Sequence, residues 1–184
     1  MSAVRRAPWG WHQLTDTWAR RLVRHAAIHP GDLVLDVGAG HGAITAPLLA
    51  AGARVVAIEM HTSRAQHLRE RFADQRVTVV RTDASDLRLP RRPFHVVANP
   101  PFAISMGLLM RLLQPNSRLE SATVVLPMHL AARFAGREVR GAGRWSKSFD
   151  AHVLTPVPRN AFRPPPPGRV AILRISRRNI ARSA

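Results

Sequence analysis

Apolar residues along this chain come in short unbroken runs of four to six, spaced by stretches in which they recur at helical intervals. Leu33-Val34-Leu35-Asp36-Val37, Arg54 to Glu59, Val77 to Val80, Phe94 to Asn99 and Ala122 to Leu126 read as five strands. Runs that are apolar throughout, not alternating, belong to strands covered on both faces. Between them lie helical patterns: Trp18, Leu22, Val23 and Ala26 after a Thr15-Asp16 capping pair; Ile44, Leu48 and Leu49 ending at Gly52; a polar helix over about 62–72; and Ile104 to Leu113. Strand–helix alternation of this kind predicts a parallel sheet with helices on both faces.

The rhythm breaks after about residue 136. Gly136 to Lys147, rich in Gly and Arg, reads as a loop that orders on binding. His152-Val153-Leu154 and Val170 to Leu173 then read as a terminal strand pair, joined through Pro164 to Pro167, a stiff extended connection that no central strand tolerates. The expected organisation is a basic N-terminal arm over 1–12, one catalytic domain over 13–176, and a basic tail over 177–184, with no separate C-terminal helical domain.

Composition narrows the class. At 184 residues and 46% apolar, the chain has material for one real core and is not a disordered polyanion binder. No run approaches the ~20 apolar residues of a membrane span, the start lacks a signal-peptide core, and there is no Cys. A cytoplasmic monomer is the expectation, with no membrane partner and no metal: His25/His29 and His61/His67 lack an acidic third ligand. The net charge of +17, with Lys147 the one lysine among 28 cationic residues, points to a nucleic acid, because guanidinium groups bind phosphates bidentately and stack on bases. Trp9, Trp11 and Trp18 suit either stacking on RNA bases or packing of the N-terminal segment over the cofactor mouth.

Chemistry concentrates at strand ends. Asp36-x-Gly38-x-Gly40-x-Gly42 joins a strand to a helix, where glycines admit a ligand to the backbone and the helix start offers free N–H groups. Glu59, ending the next strand, suits ribose hydroxyls, and Asp83, ending the third, suits an exocyclic adenine amine. Together they predict an adenosine-containing cofactor; the glycine pattern and acid spacing leave NAD open as well. Asn99-Pro100-Pro101-Phe102 ends the fourth strand. Its Asn99 amide oxygen and Pro100 carbonyl are two acceptors in a stiff turn, with Phe102 a flat face beside them. That set fits an exocyclic amine on a planar ring. With both N–H bonds accepted, the nitrogen lone pair turns to an incoming methyl, as S-adenosylmethionine would provide, and alignment with base stacking does most of the work.

Asp36-Val37-Gly38-Ala39-Gly40-His41-Gly42, Glu59, Asp83, Asn99-Pro100-Pro101-Phe102 and the late Phe162-Arg163-Pro164-Pro165-Pro166 together resemble the Erm family. Its members are 23S rRNA adenine-N6 methyltransferases of the macrolide–lincosamide–streptogramin resistance type, related to the wider rRNA adenine dimethylases. The resemblance covers nearly the whole chain and most closely suggests the short members. It implies a Rossmann-like methyltransferase fold with a seven-stranded, mostly parallel sheet and an antiparallel terminal strand pair. It further implies S-adenosylmethionine as cofactor and methylation of one adenine in the peptidyl-transferase region of 23S rRNA, before or during ribosome assembly. Cofactor contacts would fall on His12, Leu14, Gly38, Gly40, Glu59, Met60, Asp83, Ala84 and Asn99. Catalysis would rest on Asn99, Pro100 and Phe102, with Phe162 a second stacking face opposite Phe102. His12 departs from the family, which carries Asn there. RNA grip would come from Arg5, Arg6, Arg133, Arg137, Arg140, Arg144, Lys147, Arg177 and Arg178. The rival readings are a methyltransferase acting on guanine N2, on DNA adenine N6 or on a protein amide, and a non-enzymatic rRNA-binding assembly or transcription factor.

Overall fold

The structure, a computed structural model, describes residues 12–178. In chain order its elements are β1 (Gln13–Leu14), α1 (Asp16–Ala26), β2 (Leu33–Val37), α2 (Thr45–Ala50), β3 (Arg54–Ile58), α3 (Thr62–Arg71), β4 (Val77–Val80), β5 (Phe94–Ala98), α4 (Ser105–Leu112), β6 (Leu119–Pro127), α5 (Met128–Ala135), α6 (Ala142–Trp145), β7 (Phe149–Val157), β8 (Phe162–Arg163) and β9 (Val170–Arg177). Seven strands form one sheet in the order β4-β3-β2-β5-β6-β9-β7, parallel from β4 to β6, with β9 and β7 antiparallel. This is the doubly covered α/β architecture that the strand–helix alternation predicts.

Burial follows strand position. The central β2 and β6 are buried almost end to end, as continuous apolar runs require. The outer β7 alternates between half-buried and exposed, slips register between Val153 and Thr155, and carries Pro156, which an edge strand accommodates because one side of its ladder faces no partner. One core, around Phe94, Leu109, Leu112 and Phe134, packs α4 and α5 on the sheet; the other, around Leu22, Val34, Leu48 and Ile172, packs α1 and α2 on the opposite face. Each fully buried leucine in these layers contributes about 2 kcal/mol of apolar transfer.

Three local expectations change. Thr15 stands at the N-cap of α1 but makes no side-chain cap; its backbone N–H donates instead to the Ala161 carbonyl at 2.8 Å. The strand expected at Ala122 to Leu126 and the terminal pair are all longer, because β6, β9 and β7 extend one another across nine, eight and nine residues. The segment from Gly136 to Lys147 is folded against the core, not a bare loop: Val139, Ala142 and Trp145 are buried, and Trp145 packs beside Phe134 at 6.0 Å. Helical spacing of those three residues within a Gly/Arg background is what the composition hid.

Candidate active site

The carboxyl ends of the parallel strands converge on one edge, and each puts a turn there. After β2, Gly38 to Ile44 loops into α2, with the Gly38 and Ala39 N–H groups donating to the Ile58 carbonyl at 2.8 and 3.0 Å. Two glycines in this loop are sterically required. A Cβ on Gly42 (φ +86°) would lie 2.6 Å from the Phe72 ring. One on Gly38 (φ +78°) would lie 3.3 Å from Pro101, so Gly38 lets the loop after β2 press against the turn after β5.

Glu59 leaves β3 and is almost wholly buried at 4% exposure. Its Oε2 accepts from the Gly40 N–H at 3.0 Å, while Oε1 accepts from the His61 N–H and from Arg64, each at 2.8 Å. Arg64 of α3 thus pairs with this carboxylate, a contact that its ordinary place on a polar helix did not announce. Asp36, one strand over and fully buried, is hydrogen-bonded by Thr45 alone, whose hydroxyl donates to its Oδ2 at 2.6 Å with the Thr45 backbone contributing as well, and its Oδ1 has no partner. Burial, reinforced by the nearby Glu59 charge and only partly offset by Thr45, raises its pKa to about 7. Asp83 after β4 is different: the Ser85 N–H donates to it at 2.8 Å and holds its carboxyl below the usual range, so it stays ionised.

A cleft of about 590 Å³ opens along this edge, lined by Gly38, Glu59, Met60, Asp83, Ala84 and Pro101 among others, with Met60 half exposed at its mouth. A cavity of about 20 Å³ adjoins it on the far side of Gly38, lined by Leu14, Gly40 and Asn99 with their neighbours. Eight of the nine cofactor candidates therefore line two adjoining spaces. The ninth, His12, lines neither. A larger groove of about 640 Å³ between α1 and α2 has a mostly alanine wall, with Arg20, Arg24 and Arg71 at its rim. It gathers no pair of groups suited to nucleophilic or acid–base work, so the smaller cleft holds the chemistry.

At the end of β5, the Asn99 amide nitrogen donates to the His12 carbonyl at 2.6 Å. A carbonyl can only accept, so the NH₂ is committed there and Oδ1 is left as the free acceptor. Ile104 N–H and the Ser105 hydroxyl take the Pro101 carbonyl, at 3.1 and 3.3 Å; among the described residues no protein donor reaches the Pro100 carbonyl. Phe102, half-buried, begins a short turn of helix beside them, its ring 5.7 Å from that of His12.

Several expected site residues stand elsewhere. Phe162 is 2% exposed, paired across β8 and β1 with Leu14 and enclosed in the α1/α2 core. It offers no open face to a base, because the β1–β8 ribbon covers it. Arg177 is not a loose tail residue: it ends β9, donates to the Leu119 and Ser117 carbonyls at 2.8 Å each, and lies 4.6 Å over the Phe149 ring. Arg178 and Arg137 share Asp150, at 2.5 and 3.6 Å. Arg133, Arg140, Arg144 and Lys147 are exposed on the segment around α5 and α6. Arg5, Arg6, Trp9 and Trp11 lie outside the described residues. Among the described residues no three His, Asp or Glu side chains come together to hold a metal.

Known proteins share this arrangement. A model of the ribosomal RNA adenine dimethylase family matches residues 6–182. The rRNA adenine N-6-methyltransferase of Bacteroides fragilis is 33% identical over 162 residues, which are 86% of this chain and 61% of that protein. The ribosomal RNA small subunit methyltransferase A of Leifsonia xyli subsp. xyli is 39% identical over 133 residues, 67% of this chain and 48% of its own. The crystal structure of the 23S rRNA methyltransferase ErmE matches with a TM-score of 0.82 at 28% identity, over 90% of this chain and 70% of that one. The chain thus spans between about half and three fifths of the curated relatives' length. With a glycine loop, two strand-end carboxylates and an Asn-Pro-Pro-Phe turn at one sheet edge, and a family model matched almost from end to end, the chain belongs to the ribosomal RNA adenine dimethylase family.

Proposed function

We propose that the chain methylates the N6 amine of an adenine in ribosomal RNA, with S-adenosylmethionine as donor. The observation that carries this reading is the committed amide of Asn99: its nitrogen donates to the His12 carbonyl, so Oδ1 is the atom left to accept, and the Pro100 carbonyl in the same turn has no donor among the described residues. Two acceptors in one rigid turn fit the two hydrogens of an exocyclic amine.

The cofactor's fit rests on the cleft itself. Glu59 Oε2 receives one protein hydrogen bond and keeps a lone pair for a ribose hydroxyl, Asp83 stays ionised to accept from an adenine amine, and Met60 and Ala84 supply apolar walls. When bound, S-adenosylmethionine supplies a methyl carbon made electrophilic by its sulfonium. Asn99 and Pro100 take the hydrogens of the acceptor amine and turn its lone pair out of conjugation. Phe102 stacks on the extruded base, and the stiffness of the two prolines limits the reorganisation needed in the transition state. No strong base is needed for the transfer, since the amine loses its proton to water after attack.

Within this reading the finer assignment is an adenine of the 23S peptidyl-transferase region, modified in the cytoplasm on RNA not yet enclosed by protein and conferring macrolide-type resistance. It is supported by the ErmE likeness. The match to a small subunit methyltransferase favours a second reading, in which the adenine lies in small-subunit RNA. Radiolabelled S-adenosylmethionine with protein-free 23S or 16S RNA, followed by mapping of the modified base, separates the two. Label on a 23S adenine is expected. Label on 16S RNA alone overturns the finer assignment, and label on guanine or on no RNA overturns the whole. Asn99→Ala should abolish transfer and leave RNA affinity within about twofold, since it removes an acceptor and no phosphate contact.

A further inference from the structure

The reacting end brings together distant parts of the chain, and His12 touches two of them, the turn after β5 and the turn after β8. Its backbone carbonyl receives the Asn99 amide at 2.6 Å. Its ring lies against Phe102, centroids 5.7 Å apart and planes 31° apart. Its Nδ1 is 2.9 Å from the Pro164 carbonyl, in the turn after β8. The carbonyl oxygen can only accept, so Nδ1 carries the hydrogen and the imidazole is held at one edge. The backbone on either side is pinned as well: Gln13 pairs with Arg163, Leu14 with Phe162, and the Thr15 N–H donates to Ala161 at 2.8 Å.

A phenyl ring half open to solvent turns broadly about its last torsion unless a neighbour fixes its plane. For Phe102 the described neighbour with a flat face is the His12 imidazole, itself anchored. We propose that His12 is a positioning residue: tied to Pro164, its imidazole sets the plane of Phe102 so that a base stacked there presents its amine to Asn99 Oδ1 and the Pro100 carbonyl. This assigns His12 to the acceptor side of the site, in agreement with its absence from both cofactor-side cavities, and it rests on the methyl-transfer reading above.

The test uses the full chain with 4-fluorophenylalanine in place of phenylalanine, the Phe102 signal being identified by its loss in Phe102→Leu. His12→Ala and His12→Asn should both shift that one ¹⁹F resonance, while His12→Phe, which keeps a flat face but loses the hydrogen bond to Pro164, should bring it only part of the way back. In methyl transfer to the adenine mapped above, His12→Ala should lower kcat about tenfold, the order expected when a reacting group is misaligned by a fraction of an ångström. Cofactor Kd should stay within about twofold, and His12→Phe should recover more of kcat than His12→Asn. Thermal melts accompany each variant; if His12→Ala does not fold, the order of the Phe and Asn variants decides. A Phe102 resonance unmoved by every substitution overturns the proposal, as does a loss of cofactor affinity equal to the loss in kcat. The fluorine arm involves no RNA, so a chain that methylates no adenine sinks the proposed function while leaving the His12–Phe102 contact separately decided.

Discussion

Replacing Asp36 by Asn should remove a pH-dependent burden from the fold. Asp36 is fully buried, is hydrogen-bonded by Thr45 alone and leaves Oδ1 unpaired, and its pKa rises from 3.8 to about 7. Between those two values the native chain keeps a proton that the unfolded chain has released, so stability falls as pH rises through this window and levels off above it. A displacement of about three units corresponds to about 4 kcal/mol between the acid and alkaline plateaus, at 1.36 kcal/mol per unit. His25, His41 and His95 act in the opposite sense: burial lowers their pKa, so they destabilise at acid pH. They are common to both chains and cancel in the difference. Urea unfolding of wild type and Asp36→Asn should be followed at half-unit steps from pH 4 to pH 8.5. The stability of the variant relative to wild type should climb by several kcal/mol up to about pH 7 and then stay flat, whatever constant offset the new amide brings. Parallel stability curves at all pH values would show that Asp36 finds solvent or a donor that the structure does not contain, and would refute the reasoning.

Phe162→Ala should cost about 3–5 kcal/mol and Phe162→Leu about 1 kcal/mol, seen as a graded loss of melting temperature; an unchanged melt with lost methyl transfer would return this ring to base stacking. Arg177→Ala should destabilise the chain by about 2 kcal/mol, because two backbone carbonyls lose their donor, and should leave the salt dependence of RNA binding unaltered in a filter-binding titration. Arg140→Ala with Arg144→Ala should do the reverse, weakening RNA binding and flattening its salt slope by about one unit for each phosphate no longer neutralised, with no change in the melt.

Much of the site was legible in the chain because it is local. Gly38, Glu59, Asp83 and Asn99 each sit directly after an apolar run, and a parallel sheet collects the ends of its strands at one edge whatever the order of the strands. The Asn-Pro-Pro-Phe turn likewise carries its geometry in adjacent residues. What could not be read depends on pairings between distant segments. Phe162 looked like a free aromatic before a proline run until β8 met β1, 148 to 150 residues earlier in the chain by register, and covered it. The charge of Arg177 suggested phosphate, whereas two carbonyls near the start of β6 claim it. His12 stands in the cofactor set by alignment of a motif, and its contacts with Asn99, Phe102 and Pro164, on which the positioning role proposed above rests, join segments far apart in the chain.

The place of β9 in the sheet governs how this molecule can be made. Of the seven strands it is the last to leave the ribosome, yet it inserts between β6 and β7, so one edge of β6 keeps a row of unpaired backbone N–H and C=O groups until β9 emerges. Completion of the sheet must therefore wait for that segment, through pairings of long sequence separation that form slowly. A nascent chain halted anywhere before Arg177 would expose that border as a template for aggregation, and a trim reaching into 170–177 would remove an interior strand, not a fringe.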